Sequence, residues 1–147
     1  MKKTIVVLGL MLTLSITSTF ANEIEVAPQV LESFNNEFST AKDVNWLEGD
    51  HFYKAAFTFN GQHVFAYYAK DGKLLSVARY ISSIQLPIHL MSDLKKEYSD
   101  YWISDLFEAY KSNETFYYIT LENADKTIML VSDNGSGWKT YQKKTKV

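Results

Sequence analysis

The chain of 147 residues carries 17 acidic and 15 basic side chains, for a formal net charge of −2. This balance argues against binding to nucleic acid, because a phosphate backbone requires a basic stripe. The absence of cysteine excludes disulfides and a lipid-modified amino-terminal cysteine. Aromatic residues make up 15% of the chain, and each can bury roughly 150 to 250 Å². We therefore expect a core of packed rings.

The amino terminus has the features of a secretory signal peptide. Lys2 and Lys3 precede an apolar run over residues 5–14, and small residues lead to Ala21. The run is shorter than the roughly 20 apolar residues that span a bilayer, so we predict cleavage after Ala21 rather than a retained anchor. Residues 1–21 are then a signal peptide. Residues 22–147 form a single periplasmic or secreted domain that does not insert into the membrane.

The first predicted unit covers about residues 28–83 and begins with a helix. Pro28 suits the first turn, where its missing N–H costs nothing. The helical pattern ends near residue 40, and an extended piece around Trp46 and a strand over about residues 52–59 follow. The residues at helical spacing are Val30, Leu31, Phe34 and Phe38.

The dipeptide Asn60-Gly61 predicts a two-residue hairpin turn, because both central positions of a type I′ turn need positive φ. Phe59 then lies opposite Gln62, and the pairing can be counted outward from them. The predicted core face carries Tyr53, Ala55, Phe57, Val64, Ala66 and Tyr68. The predicted opposite face carries Phe52, Lys54, Ala56, Thr58, His63, Phe65 and Tyr67.

The next turn, at Asp71-Gly72, leaves the register of its strand open. A three-residue loop suits Gly72 in the left-handed region, whereas the apolar pattern that follows favours a two-residue loop. A slip of one residue would move every side chain to the other face. We predict a strand over about residues 74–82 without fixing its register.

The second predicted unit, about residues 86–147, repeats the order of the first at an offset near 60. Pro87 precedes a second helix, and four strands follow, at about residues 102–111, 115–123, 126–133 and 137–144. Phe116 and Tyr118 share one strand face. The predicted fold is therefore α+β, with tandem duplicated units of a helix plus an antiparallel meander. The alternative is a chance echo of the kind that many α+β domains show.

Several stretches, in this order, resemble the PepSY-like family of exported bacterial proteins, also described as beta-lactamase-inhibitor-like. They are "AKDVNW", "YKAAFTFNGQHVFAYYAKDGKLLSVARYI" and "LENADKTIMLVSDNGSGWK". The resemblance implies a fold similar to the beta-lactamase inhibitory protein, with helices on one face of the sheet and the other face open. It implies no catalytic motif. Related PepSY domains are thought to restrain peptidases.

The residues that could carry chemistry do not predict an enzyme. His51, His63 and His89 lack the spacing of a metal-binding helix, and no GxSxG nucleophile motif occurs. Two turns could offer oxygen ligands to calcium. They contain Asp71 and the set Asp133, Asn134 and Ser136, but the same residues are those that tight turns select. We expect no cofactor, with calcium as a weak possibility.

The open sheet face is the predicted binding surface, since aromatic residues among polar neighbours are enriched at interfaces. The alternative is aromatic pairing that only stiffens the sheet. We predict a non-catalytic module that binds a protein or peptide partner of the cell envelope. Competing hypotheses are a cone-shaped, NTF2-like domain with a small-ligand or catalytic pocket, and a calcium-responsive periplasmic protein. The predicted partner-binding residues are Lys54, His63, Phe65, Tyr67, Phe116 and Tyr118.

Overall fold

The computed structural model describes residues 24–147, so the predicted signal peptide lies outside the described residues. The first helix, α1, spans Pro28–Glu37. Four strands follow it: β1 (Lys42–Glu48), β2 (Phe52–Phe59), β3 (Gln62–Ala69) and β4 (Leu74–Tyr80). After a short 3₁₀ helix (Ser83–Gln85) come α2 (Ile88–Glu97), β5 (Trp102–Lys111), β6 (Glu114–Glu122), β7 (Lys126–Asp133) and β8 (Lys139–Thr145).

All eight strands form one antiparallel sheet in chain order, from β1 at one edge to β8 at the other. The β4–β5 pairing, over Val77–Tyr80 and Phe107–Tyr110, joins the two groups of four strands. The register places the sheet residues under α1 and those under α2 on the same face. The α+β prediction is confirmed, and the helices cover one face of the sheet.

The first core lies between α1 and strands β2 and β3. Val30 and Phe34 pack onto the sheet, where all six residues of the predicted core face are buried. The Phe34 ring meets Phe57 edge-on, with centroids 4.9 Å apart. Leu31, which has helical spacing with the buried residues, is 37% exposed, because the sheet contacts a narrower stripe of the helix than the pattern suggests.

The second core lies between α2 and strands β5 to β7, and its buried side chains are aliphatic. Leu90 and Leu94 pack onto residues that the alternation along these strands brings to one face. At its edge, the indole Nε1 of Trp138 donates to the Leu90 carbonyl at 2.9 Å. The sheet residues buried here are Leu106, Ile119, Leu121, Ile128 and Leu130.

The hairpin at Asn60-Gly61 has the predicted turn and register. Their φ angles are 50° and 76°, and Phe59 pairs with Gln62. The next connection is a three-residue loop over residues 70–72, closed by the Ala69 N–H donating to the Lys73 carbonyl at 2.9 Å.

A β-bulge explains why the loop has three residues although the apolar pattern of β4 favoured a two-residue loop. Leu74 pairs with Tyr68, but Ser76 pairs with Tyr67, so Leu75 is the extra residue on β4. Val77 therefore returns to the helix-covered face and packs against the first core.

The order of one helix and four strands occurs twice along the chain. The first residues of α1 and α2, Pro28 and Ile88, are 60 positions apart, as are those of β1 and β5. Within residues 24–147 no helix has the length and apolar character of a membrane span.

Candidate binding surface

The face of the sheet opposite both helices carries all six predicted binding residues. Lys54 pairs across β2–β3 with Tyr67, and Ala56 pairs with Phe65. The register continues from Phe65 through Ala78 and Ala109 to Phe116, and from Phe107 to Tyr118. His63, next to Phe65 on this face, is exposed and meets its ring edge-on at 4.9 Å.

Two alanines form the floor at the centre of this face. Ala78 on β4 and Ala109 on β5 lie directly opposite each other, at the point where the two groups of strands join. They are 5% and 0% exposed because larger side chains surround them. Small residues here let the rings of neighbouring strands close over the β4–β5 junction.

Those rings form a layer that we call the aromatic layer, defined as Phe65, Tyr67, Tyr80, Phe107, Phe116 and Tyr118. Phe107 and Tyr118 stack with centroids 4.9 Å apart and planes at 13°. Tyr67 and Tyr118 are only 6% and 4% exposed, whereas Tyr80 is 57% exposed. Two predicted residues thus support the layer from within, and Tyr80 offers the most accessible ring.

Lys54 lies across the aromatic layer at its β2 side. Its Nζ is 4.4 Å from the Phe65 ring centroid and 5.6 Å from that of Tyr67, which is cation–π geometry. The side chain is half-buried, and this desolvation lowers the pKa of Lys54. The ammonium group is therefore held on a ring surface rather than extended into water.

A shallow notch opens within the aromatic layer between Lys54 and Asp105. It encloses about 50 Å³ and has Ala78 among its lining residues. Its remaining lining residues are Phe65, Tyr67, Tyr80 and Phe107.

The polar groups around this notch are partly desolvated. Burial raises the pKa of Asp105, against a smaller opposing effect of the Leu106 amide. Burial, reinforced by the nearby Tyr80, raises the pKa of Tyr67 to about 12. Burial and the charge of Asp105 raise the pKa of Tyr80. An ammonium, a carboxylate and two phenols thus surround an apolar floor.

A second groove, of about 350 Å³, adjoins the notch and shares Tyr80 and Asp105 with it. It follows the segment that links β4 to α2 and the start of β5. Its other lining residues are Ile81, Ser82, Ser83, Ile103, Ser104 and Leu106. The notch and this linker groove thus lie side by side, with Tyr80 and Asp105 lining both.

The helix-covered face also has a groove, of about 440 Å³, which extends from the end of α1 over β4 and β5. Its carboxylate, Glu108, is ion-paired with Arg79 at 2.8 Å, and Arg79 also donates to Gln62 at 2.8 Å. The space between α1 and the sheet is filled by rings such as Phe34 and Phe57. This arrangement does not favour the pocket that an NTF2-like domain would need between helix and sheet.

Side-chain oxygen atoms of both candidate calcium turns accept hydrogen bonds from neighbouring groups. Asp133 accepts from the Ser136 hydroxyl and, at 3.0 Å, from Lys139. The Asn134 side chain accepts from the Thr115 N–H at 3.0 Å. Asp71 accepts from the Lys73 N–H at 3.0 Å. The contacts of Asp71, Asp133 and Ser136 fit the turn-forming interpretation, and Asn134 ties its turn to β6.

Sequence reasoning missed Tyr80, Asp105 and Phe107, which complete the surface. Tyr80 was missed because the register of β4 was open. The alternation of β5 separates Asp105, Phe107 and Ala109 from Leu106, Glu108 and Tyr110. Both sets mix apolar and charged residues, so the pattern alone does not say which faces the helices. Pairing with the Phe116 and Tyr118 face of β6 is the signal that would have assigned Phe107.

No protein-family model matches the chain, and no curated protein matches it. Several solved structures do match its fold. A BLIP-like protein from Bacteroides fragilis is 16% identical, with a TM-score of 0.72 over 84% of this chain and 89% of that chain. A protein from Bacteroides eggerthii, provisionally described as periplasmic, is 12% identical, with a TM-score of 0.73 over 83% and 90%. A DUF2874 family protein from Bacteroides ovatus is 14% identical, with a TM-score of 0.73 over 83% and 89%. At such identities the similarity concerns the fold, and the fold of this chain is that of the BLIP-like proteins.

Proposed function

We propose that this chain is an exported, non-catalytic binding module of the PepSY-like type, which holds a protein or peptide partner on its helix-free sheet face. The observation that carries the proposal is the aromatic layer on that face. Rings with accessible surface, above all Tyr80 at 57% exposed, lie beside a charged group at each end of a notch. Aromatic residues of this kind are enriched at interface cores and among their energetic hot spots.

The organisation of the chain supports this assignment. We take residues 22–147 as one domain made of two repeats, about residues 28–83 and 86–147, each a helix followed by four strands. Placing both helices on one face leaves the other face of the continuous sheet available to a partner. Two observations support a periplasmic or secreted location. One is the signal-peptide pattern, and the other is the similar fold of the Bacteroides eggerthii protein, which is provisionally described as periplasmic.

The shape of the surface supports binding rather than catalysis. The notch of about 50 Å³ is far smaller than the roughly 300 to 1,000 Å³ of small-molecule sites. The adjoining linker groove reaches about 350 Å³, but Asp105 is its only charged lining residue. A partner surface, in contrast, needs only to place a few side chains on the rings. In this proposal the face either restrains a peptidase or binds another envelope protein.

The experiment uses residues 22–147 as bait in an envelope extract of the source organism, with Tyr80→Ser as the test variant. Tyr110→Ser is the matched control, because Tyr110 is 52% exposed on the neighbouring strand but faces the helix-covered side. We expect Tyr80→Ser to weaken capture at least about tenfold, as loss of a hot-spot ring does, and Tyr110→Ser to retain it. If circular dichroism shows both variants to be folded and both reduce capture equally, the proposal is contradicted.

A further inference from the structure

Within residues 24–147, the two charged side chains of the notch have no ionic partner. Lys54 lies on β2 and Asp105 on β5. The four salt bridges within residues 24–147 include neither of them. The other lining residues of the notch carry no formal charge, so each end presents a single charge of one sign.

Both charged groups have lost part of their water without gaining a counter-charge. The pKa of Lys54 is lowered and that of Asp105 is raised, in each case with burial as the largest cause. Desolvation disfavours the charged form of a group, and an opposite charge within about 4–6 Å restores it. A partner that brings an anion to Lys54 and a cation to Asp105 would therefore gain more here than at a fully hydrated surface site.

The space between these charges suits the end of one apolar side chain. The notch encloses about 50 Å³ above Ala78 and between aromatic walls. A cavity of roughly 10–15 Å³ on this measure holds one water molecule, so the notch has room for a few non-hydrogen atoms, such as the tip of a branched side chain. The linker groove of about 350 Å³, which shares Tyr80 and Asp105, gives a path along which a peptide backbone can continue.

Resting on the proposed binding function, we propose that the notch recognises a peptide segment of the partner in which an apolar side chain lies between an acidic and a basic one. The apolar side chain enters the notch above Ala78, the acidic one pairs with Lys54 and the basic one pairs with Asp105. The segment leaves the notch along the linker groove.

The test is selection of a linear peptide library on residues 22–147, followed by affinity measurement of the selected peptides. We expect peptides with an apolar residue flanked by opposite charges. Lys54→Glu should weaken their binding at least about tenfold, and a peptide with its acidic residue changed to lysine should recover it. Asp105→Lys should likewise weaken binding, and a peptide with its basic residue changed to an acidic one should recover it. Lys73→Glu, at an exposed turn residue outside the notch, is the control for charge reversal and should leave affinity unchanged.

The outcomes separate this inference from the function on which it rests. Peptides that lose affinity with Tyr80→Ser but are indifferent to both charge reversals would overturn the inference and leave the binding function in place. A library that yields no binder at millimolar peptide would also overturn it, since a linear segment would then not be the ligand. Selected peptides that are unaffected by Tyr80→Ser and by both reversals would count against the inference and the proposed function together.

Discussion

Gln29 and His89 make the same contact, each within its own half of the chain. Both are the second residue of a helix, α1 and α2 respectively. The Gln29 Nε2 donates to the carbonyl of Lys70 at 2.9 Å, in the β3–β4 turn. The His89 Nε2 contacts the carbonyl of Gly135, in the β7–β8 turn. Because a carbonyl only accepts, this contact requires His89 to donate from Nε2. Each helix is thus tied to the last turn of the four-strand meander that follows it.

The first prediction concerns the energy of this paired contact. Gln29→Ala and His89→Ala should each lower the free energy of unfolding by about 0.5–1.5 kcal/mol, the usual net value of a hydrogen bond. The double variant should equal their sum within about 0.5 kcal/mol, because the sites share no partner. Urea unfolding measures all three, with His51→Ala, at an exposed loop residue, as control. A large effect of only one variant would argue against equivalent roles.

The second prediction compares two glycines in turns. A Cβ on Gly72, at φ +92°, would lie 2.7 Å from the Gln29 carbonyl oxygen, whereas a Cβ on Gly61, at φ +76°, would meet nothing within 4 Å. Both alanine variants incur the left-handed strain of roughly 1–2 kcal/mol. Gly72→Ala must in addition displace α1 from its turn. We expect its urea midpoint to fall clearly below that of Gly61→Ala, and equal midpoints would show that α1 is not held closely there.

The fold was predictable where local chemistry decides it. Asn60-Gly61 fixes a turn and hence a register, and the register identifies the core face that α1 covers. That Leu75 is a bulge residue was not predictable, because residue types alone do not show where a strand carries one extra residue. The β4–β5 pairing depends on how two separately predicted units meet. No residue pattern within either unit encodes that contact directly.

The candidate surface was half predictable for the same reason. Phe65 and Phe116 were assigned to one face by alternation, each within its own unit. That they lie on either side of the Ala78–Ala109 pair follows only from the β4–β5 junction. Burial of Tyr118 likewise depends on Phe107, which stacks on it from the neighbouring strand. Whether an aromatic ring supports the aromatic layer from within or is accessible to a partner thus depends on how the strands pair in the folded sheet.

The third prediction concerns alkaline pH. Burial is the main cause that raises the pKa of Tyr67 to about 12, and burial also raises the pKa values of Tyr68 and Tyr118. The unfolded chain releases these protons from about pH 10, while the folded chain keeps them. The unfolded state then binds fewer protons, so stability must fall as pH rises above about 10, by up to about 1.4 kcal/mol per pH unit for each tyrosine.

Tyrosinate absorbance and circular dichroism, followed together against pH, measure this effect. The shielded tyrosines should ionise only as the fold is lost, and Tyr118→Phe should reduce the steepness of the stability loss between about pH 10 and 12. Complete tyrosine ionisation near pH 10 with the circular dichroism spectrum intact would show that these hydroxyls are accessible to solvent.

The last prediction is that the two cores unfold together. The aromatic layer packs over the β4–β5 junction, and Arg79 on β4 is ion-paired with Glu108 on β5, so separating the halves exposes rings and breaks a partly buried ion pair. Phe57→Ala, in the first core, should cost about 3–5 kcal/mol. Amide hydrogen exchange should show this loss in β6 and β7 as well as in β2 and β3, because opening of either half then opens the whole sheet. Loss of protection confined to β2 and β3 would instead make each half an independent folding unit, and the helix-free face would not be one continuous platform.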